Sequence, residues 1–141
     1  MEHQLKGRVA LVSGGGRGIG RSICELLASQ GASVAVNYRK DEEAALDTVA
    51  TIVAAGGTAR AYAASVDDAD AVAVMVDQVI KDFGYIDLLV CNAGIASRGP
   101  AVADTDPGEV MRLINTHAIG PHHLARCVLP SMRERDRGDI V

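Results

Sequence analysis

Tryptophan is absent from these 141 residues, and three tyrosines and one phenylalanine hold the aromatic share at 3%. A core with so few rings has to be built from Ala, Val, Ile and Leu, which suits parallel strands covered by helices on both faces. Cysteine is also scarce: Cys24, Cys91 and Cys127 lie far apart, are odd in number and form no C-x-x-C pair. That pattern excludes a disulfide framework and argues against a metal site, leaving free thiols in a reducing cytoplasm. No apolar run reaches membrane-spanning length and the N-terminus has no signal-peptide core, so a cytoplasmic protein without a membrane partner is expected. Positive charge is not in excess either. Fourteen Lys and Arg against 18 Asp and Glu give a formal net charge of −4, which offers no field for nucleic acid.

Hydrophobic residues, by contrast, make up 48% of the chain, and they fall into alternating strand and helix patterns. Strands are expected at Arg8 to Ser13, Ser33 to Asn37, Thr58 to Ala64 and Ile86 to Cys91. Helices are expected at Gly18 to Gln30, Asp41 to Ala55 and Ala69 to Phe83, each closed by glycine. A loop then runs to Pro107, a long helix spans Gly108 to Arg135 with a possible bend at Pro121, and Asp139-Ile140-Val141 starts a fifth strand. Repeated β-α units with right-handed crossovers predict an α/β fold: a Rossmann-like doubly wound parallel sheet flanked by helices, in a single domain over residues 1–141. The run Arg133-Glu134-Arg135-Asp136-Arg137 reads as a solvated helix end rather than a partner patch.

The segment Ser13-Gly14-Gly15-Gly16-Arg17-Gly18-Ile19-Gly20 stands directly behind the apolar run Val9 to Val12. A strand feeding a glycine-rich turn, with a helix starting inside it, lets main-chain N–H groups face a pyrophosphate without Cβ atoms in the way. The spacing of Gly14, Gly18 and Gly20 is G-x-x-x-G-x-G, which differs from the G-x-G-x-x-G fingerprint. Gly15 to Ser22 is one residue away from a nucleoside-triphosphate P-loop, but Arg21 stands where that loop needs lysine, and no later strand ends in a clear magnesium-binding aspartate. With Ser13 in front, the turn resembles the cofactor loop of the short-chain dehydrogenase/reductase family, in its 3-oxoacyl-carrier-protein reductase-like branch. Two further segments carry the resemblance across the chain. Ser65-Val66 stands where the family has Asp-Val against the adenine, with Ser65 a departure. Cys91-Asn92-Ala93-Gly94 is similar to the family's Asn-Asn-Ala-Gly, with Asn92, Ala93 and Gly94 kept.

In a doubly wound fold the residue ending the second strand selects the dinucleotide, an acid there holding the ribose 2′-hydroxyl and repelling a 2′-phosphate. Asn37 occupies that place and Tyr38-Arg39-Lys40 follows. A neutral Asn37 removes the repulsion, and Arg39 can pair with a phosphate. Arg17 adds a second cation, and the resemblance implies that bases at these two positions mark NADP(H) preference. The plainer alternative is that Arg39 and Lys40 merely open an exposed loop. The cofactor contacts expected are thus Ser13, Gly14, Gly16, Arg17, Gly18, Ile19, Gly20, Asn37, Tyr38, Arg39, Ser65, Val66, Asn92, Ala93 and Gly94. Asp67 and Asp68 read as caps of the next helix.

The resemblance implies hydride transfer between NADP(H) and a small-molecule carbonyl or alcohol, with a serine, a Y-x-x-x-K pair and a supporting asparagine. None of Tyr38, Tyr62 and Tyr85 has lysine four residues on, and the sequence stops on the strand that precedes the family's serine. The expectation is therefore the cofactor-binding half of such an enzyme, its C-terminal strands missing and inactive alone. The alternative is a non-catalytic nucleotide-binding module or an inert fragment. Counted back from Gly120, the supporting asparagine falls on His117, with Asn115 two residues earlier. His117 reads either as the catalytic stand-in for that asparagine or as a packed helix histidine. His122 and His123 read as surface or interface residues, and no metal is expected. Family members associate, so a homo-dimer or homo-tetramer is expected of the complete protein.

Overall fold

The computed structural model describes residues 3–141. Its elements run β1 (Val9–Val12), α1 (Gly18–Ser29), β2 (Ser33–Tyr38), α2 (Glu42–Ala54), β3 (Thr58–Ala63), α3 (Ala69–Phe83), β4 (Leu88–Val90), α4 (Pro107–Ile114), α5 (Gly120–Glu134) and β5 (Asp139–Ile140). The five strands form one sheet in the order β3-β2-β1-β4-β5, and each pairing is parallel. The chain thus builds outward from β1 to β3, then returns to the other side of β1 to add β4. This reversal leaves a crevice beyond the carboxyl ends of β1 and β4, where α/β sheets bind ligands.

Strand side chains alternate between the two faces. Ala10, Val12, Val34, Val36, Leu88 and Val90 pack with Cys24, Ala28, Ala45 and Ile52 of α1 and α2. Leu11, Ala35 and Leu89 meet Val72, Val76 and Val79 of α3 and Leu124, Val128 and Met132 of α5 on the opposite face. Small aliphatic residues fill both layers, as the shortage of aromatics demanded.

Two expectations change. The long helix is interrupted by a π-helical turn at Asn115–Ile119, between α4 and α5. Pro121 has no N–H to return to the carbonyl four residues back, that of His117, so the ladder widens just ahead of it. The basic run after α5 is also more than a solvated end. Arg137 donates to Asp87 Oδ2 (Nε 2.7 Å) and to the Gly7 carbonyl (3.2 Å), and the Arg135 guanidinium lies 3.4 Å from the Tyr85 ring centre. Asp87 is fully buried and also accepts from the Val9 amide at 2.8 Å, with Arg8 paired beside it at 2.9 Å. This network fastens β1, β4 and β5 at the sheet end opposite the crevice, because a carboxylate buried there needs its charge and lone pairs met.

Candidate functional site

Beyond the carboxyl ends of the strands lies a cleft of about 500 Å³, within the usual range for small-molecule sites. The glycine turn after β1 forms one wall, Tyr38 to Asp41 after β2 and Ala64 to Val66 after β3 form another, and Asn92 to Ile95 after β4 close the far end. Thr116, from the π-helical turn, completes the lining.

The helix start inside the cleft is built differently from its neighbours. α2, α3 and α4 each begin on an aspartate whose carboxylate accepts a first-turn amide: Asp41 from Ala44, Asp68 from Ala71 and Asp106 from Gly108. α1 begins on Arg17, with no side-chain cap and no acid in its first turn. Its first helical bond is made by Arg21 N–H to the Arg17 carbonyl, which leaves the preceding amides free to meet an anion. Gly18 has φ +55° and nothing within 4 Å of where a Cβ would project. Gly20 is required for another reason. A Cβ there would overlap the Gly14 carbonyl oxygen and stand 2.5 Å from Asn92 Nδ2. The helix can therefore approach the turn only with glycine at that position.

Fourteen of the expected contacts line the cleft; Ser13 does not. Its side chain is 1% exposed, and its Oγ accepts the amides of Asn92 and Ala93, each at 3.0 Å. Ser13 therefore ties the β1 turn to the segment after β4 rather than facing a ligand. Asn92 returns the tie, its Nδ2 donating to the carbonyls of Ser13 and Gly14 at 3.1 Å each. Asn37 is tied in as well. It borders the cleft, but its carboxamide is buried and committed to main chain: Oδ1 accepts from Gly14 N–H (3.2 Å), and Nδ2 donates to Tyr62 and Ala64 carbonyls (3.3 and 3.0 Å). Tyr38, Arg39 and Lys40 also border the cleft at the β2 end.

Arg17, Arg39 and Lys40 all border the cleft, and among the described residues none has a carboxylate within ion-pair distance. Asp41 also lines it, but its carboxylate is turned to the α2 amide. Arg21, the residue standing in for the P-loop lysine, points elsewhere. It donates to Glu25, Asp47 and Thr51 at 2.7, 2.5 and 3.1 Å, joining α1 to α2, and its pKa is raised chiefly by the bond to Glu25. The triphosphate reading loses its cation.

His117 does not line the cleft; its neighbour Thr116 does. Its Nε2 lies 2.7 Å from the Ile95 carbonyl and 3.2 Å from the Ile95 amide, and its ring packs on Gly94. Arg112 donates to the Ala96 carbonyl at 3.2 Å and pairs with Glu109 at 3.1 Å, holding the Glu109 carboxyl below the usual range. The segment after β4 is thus fastened at two successive residues. Asn115 does not border the cleft. Of the two aspartates expected as caps, Asp68 is one, while Asp67 accepts the Ser65 hydroxyl at 2.5 Å. Burial pushes the Cys24 thiol up to about 12 and raises Cys91 and Cys127, so none is poised as a thiolate. Lys40, Asp41, Ala64, Ile95 and Thr116 also line the cleft but were not among the expected contacts. Lys40 adjoins Arg39 in sequence, whereas Thr116 carries no such signal and is brought in by the π-helical turn.

Uncapped amides, a Cβ-free wall, adjacent cations and sufficient volume all fit a dinucleotide with an extra phosphate. No helix among the described residues is long and apolar enough to cross a membrane.

Comparison with known proteins agrees with this geometry. A family model described as short chain dehydrogenase matches residues 8–141. A versicolorin reductase of Emericella nidulans is 42% identical over 135 residues, which are 96% of this chain and 51% of that protein. A trihydroxynaphthalene reductase of Pestalotiopsis fici is 38% identical over 122 residues, 86% of this chain and 43% of that one. Among solved structures, a metagenomic short-chain oxidoreductase in complex with NADP superposes with a TM-score of 0.92 at 37% identity, over 97% of this chain and 62% of its own. A short chain dehydrogenase from Burkholderia cenocepacia, also in complex with NADP, gives 0.86 at 38% identity, over 91% and 52%. The chain spans about half the length of the curated relatives it matches.

Proposed function

The chain belongs to the short-chain dehydrogenase family, and from that premise we propose that the protein carrying it is an NADP(H)-dependent oxidoreductase interconverting a carbonyl and an alcohol. One observation carries the cofactor choice: an uncapped, glycine-walled helix start and three cations that have no carboxylate partner among the described residues share one cleft at the switch point of the sheet. When bound, NADP(H) supplies or accepts the hydride, and the residues of this chain bind and orient it. The amides that open α1, among them those of Gly18 and Ile19, receive the diphosphate. Arg39 and Arg17 receive the 2′-phosphate, with Lys40 beside them. Ser65 and Val66 flank the adenine, and Asn92, Ala93 and Gly94 hold the ribose on the nicotinamide side. His117 keeps the segment at Ile95 in position, in place of the family's supporting asparagine. No Y-x-x-x-K pair occurs in these 141 residues, so the segment by itself binds without turnover.

The names of two relatives, a versicolorin reductase and a trihydroxynaphthalene reductase, support reduction as the direction. Exposed Val110, Met111, Ile114 and Leu129 on α4 and α5 support self-association through that helix pair. A cytoplasmic location fits the scattered free cysteines.

The test is reduction of a carbonyl panel with NADPH and with NADH, in the complete protein that carries this segment and in its Arg39→Asp variant. A charge-assisted hydrogen bond of about 1.5–3 kcal/mol corresponds to roughly a 10- to 150-fold change in the coenzyme ratio. An unchanged ratio removes Arg39 from the phosphate site. No coenzyme oxidation with any carbonyl refutes the oxidoreductase reading.

A further inference from the structure

No strand or helix is formed between Val90 and Val102, and among the described residues the main chain of Ile95 to Gly99 makes no hydrogen bond to other main chain. Its polar groups still need partners. Side chains of α4 supply them beyond Ile95. Arg112 and Glu109 form a forked pair, Nε to Oε2 at 3.2 Å and Nη2 to Oε1 at 3.1 Å. The same Nη2 donates to the Ala96 carbonyl at 3.2 Å, and the same Oε1 accepts the Arg98 amide at 3.0 Å. These two main-chain groups flank Ser97, and they are the ones that one residue of a neighbouring parallel strand would meet. The ion pair thus stands in for a strand partner, with a charged group in each bond. Glu109 is only 12% exposed, and the Arg112 bond, then the Arg98 amide, holds its carboxyl below the usual range. Gly99 follows with φ +83°, so the chain turns away just past the clamp. Upstream, Asn92 and Ala93 are anchored separately to Ser13. Between the two anchorages stand Gly94 and Ile95, in the far wall of the cleft.

We propose that Glu109 and Arg112 are positioning residues for the reacting end of the cleft: clamped by the pair, the segment after Ile95 sets how the carbonyl substrate approaches the nicotinamide. The inference rests on the NADP(H) reading of the same cleft and adds what controls its substrate side. Neither residue borders the cleft, so both act through Ile95 and its neighbours. The coenzyme's phosphates and adenine meet the turns after β1, β2 and β3, none of which the pair touches. Releasing the clamp therefore disturbs turnover and leaves coenzyme binding in place.

The experiment uses the complete protein that carries this segment and its Arg112→Met, Glu109→Ala and Glu109→Gln variants. Limited trypsin digestion, read by mass spectrometry, follows cleavage of the Arg98–Gly99 bond; in parallel, NADP⁺ affinity and kcat/KM for a reducible carbonyl are measured. Arg112→Met and Glu109→Ala are expected to speed that cleavage and to lower kcat/KM about three- to tenfold, the loss of partly exposed charged hydrogen bonds. NADP⁺ affinity is expected to stay within about twofold, because its contacts lie elsewhere. Glu109→Gln keeps an oxygen for the Arg98 amide and for Arg112, and is expected to recover most of both losses. Unchanged cleavage, or faster cleavage with unchanged kcat/KM, overturns the inference. So does an equal fall in NADP⁺ affinity and kcat/KM, which would make the pair general scaffolding. A wild type that binds no NADP⁺ overturns the coenzyme assignment itself, whatever the digestion shows.

Discussion

Replacing Ser13 by alanine removes one oxygen and leaves the Ala93 amide without an acceptor, while the Asn92 amide keeps the Val90 carbonyl at 3.2 Å. In the wild type, the N–H groups of Asn92 and Ala93 both end on Ser13 Oγ at 3.0 Å, and Ser13 is 1% exposed. The third contact, from the hydroxyl to the Val90 carbonyl, is long at 3.4 Å, and that carbonyl keeps its bond from the Ser13 amide at 3.0 Å. The loss is therefore counted as one unsatisfied donor. That costs about 1–3 kcal/mol, and since water can reach part of this segment the lower half of the range applies, giving about 1–2 kcal/mol. For a chain of this size that lowers Tm by roughly 3–7 °C. Urea unfolding followed by circular dichroism measures the first number, and a thermal melt measures the second. Dinucleotide affinity should fall as well, since Asn92, Ala93 and Gly94 lose their tether. A change under about 0.5 kcal/mol would refute the reasoning and return Ser13 to an ordinary buried position.

Gly20→Ala should abolish dinucleotide binding and lower stability, because the new Cβ meets backbone at Gly14, which cannot yield as a side-chain tip would; a titration with NADP⁺ reads it. Arg21→Met should leave NADP⁺ affinity unchanged, and it should cost no more than about 1 kcal/mol in urea unfolding, since its partners are largely exposed. A tenfold loss of affinity would reopen the P-loop reading. His117→Ala in the complete enzyme should slow kcat more than it weakens cofactor binding, through release of Ile95. Equal losses in both would make His117 part of the binding wall instead. Cys24 should resist alkylation at pH 8 in the folded protein and react once urea exposes it, as a buried thiol pushed up to about 12 requires.

The sheet, the helix order and most of the cleft lining were readable from sequence because they rest on local patterns. Apolar runs of strand length, glycines closing helices and loop residues following strand ends are all visible within ten residues. Side-chain direction at Ser13 and Asn37 was not. The partners of Ser13 come from Asn92 and Ala93, and those of Asn37 include Tyr62 and Ala64, contacts that only the parallel pairing of neighbouring strands creates. Both residues stand at strand ends, and both side chains are spent on internal ties, Asn37 while also bordering the cleft and Ser13 outside its lining. Arg137 was misjudged similarly: the charge run is local, while the buried Asp87 that recruits it lies 50 residues away. The π-helical turn had one sequence signal, Pro121, which pointed to a bend but not to its form. Asp67 and Asp68 divide between pairing with the Ser65 hydroxyl and capping α3, a distinction that requires the position of Ser65.

The central claim is that the amides opening α1 hold a diphosphate while Arg39 and Arg17 hold the phosphate on the adenosine ribose. A crystal structure of the protein with NADP⁺ tests it most directly. The account predicts density for the diphosphate against Gly18 and Ile19, with the guanidinium of Arg39 on the 2′-phosphate. A glycine turn empty under saturating coenzyme, or Arg39 directed into solvent with the phosphate bound elsewhere, would contradict it.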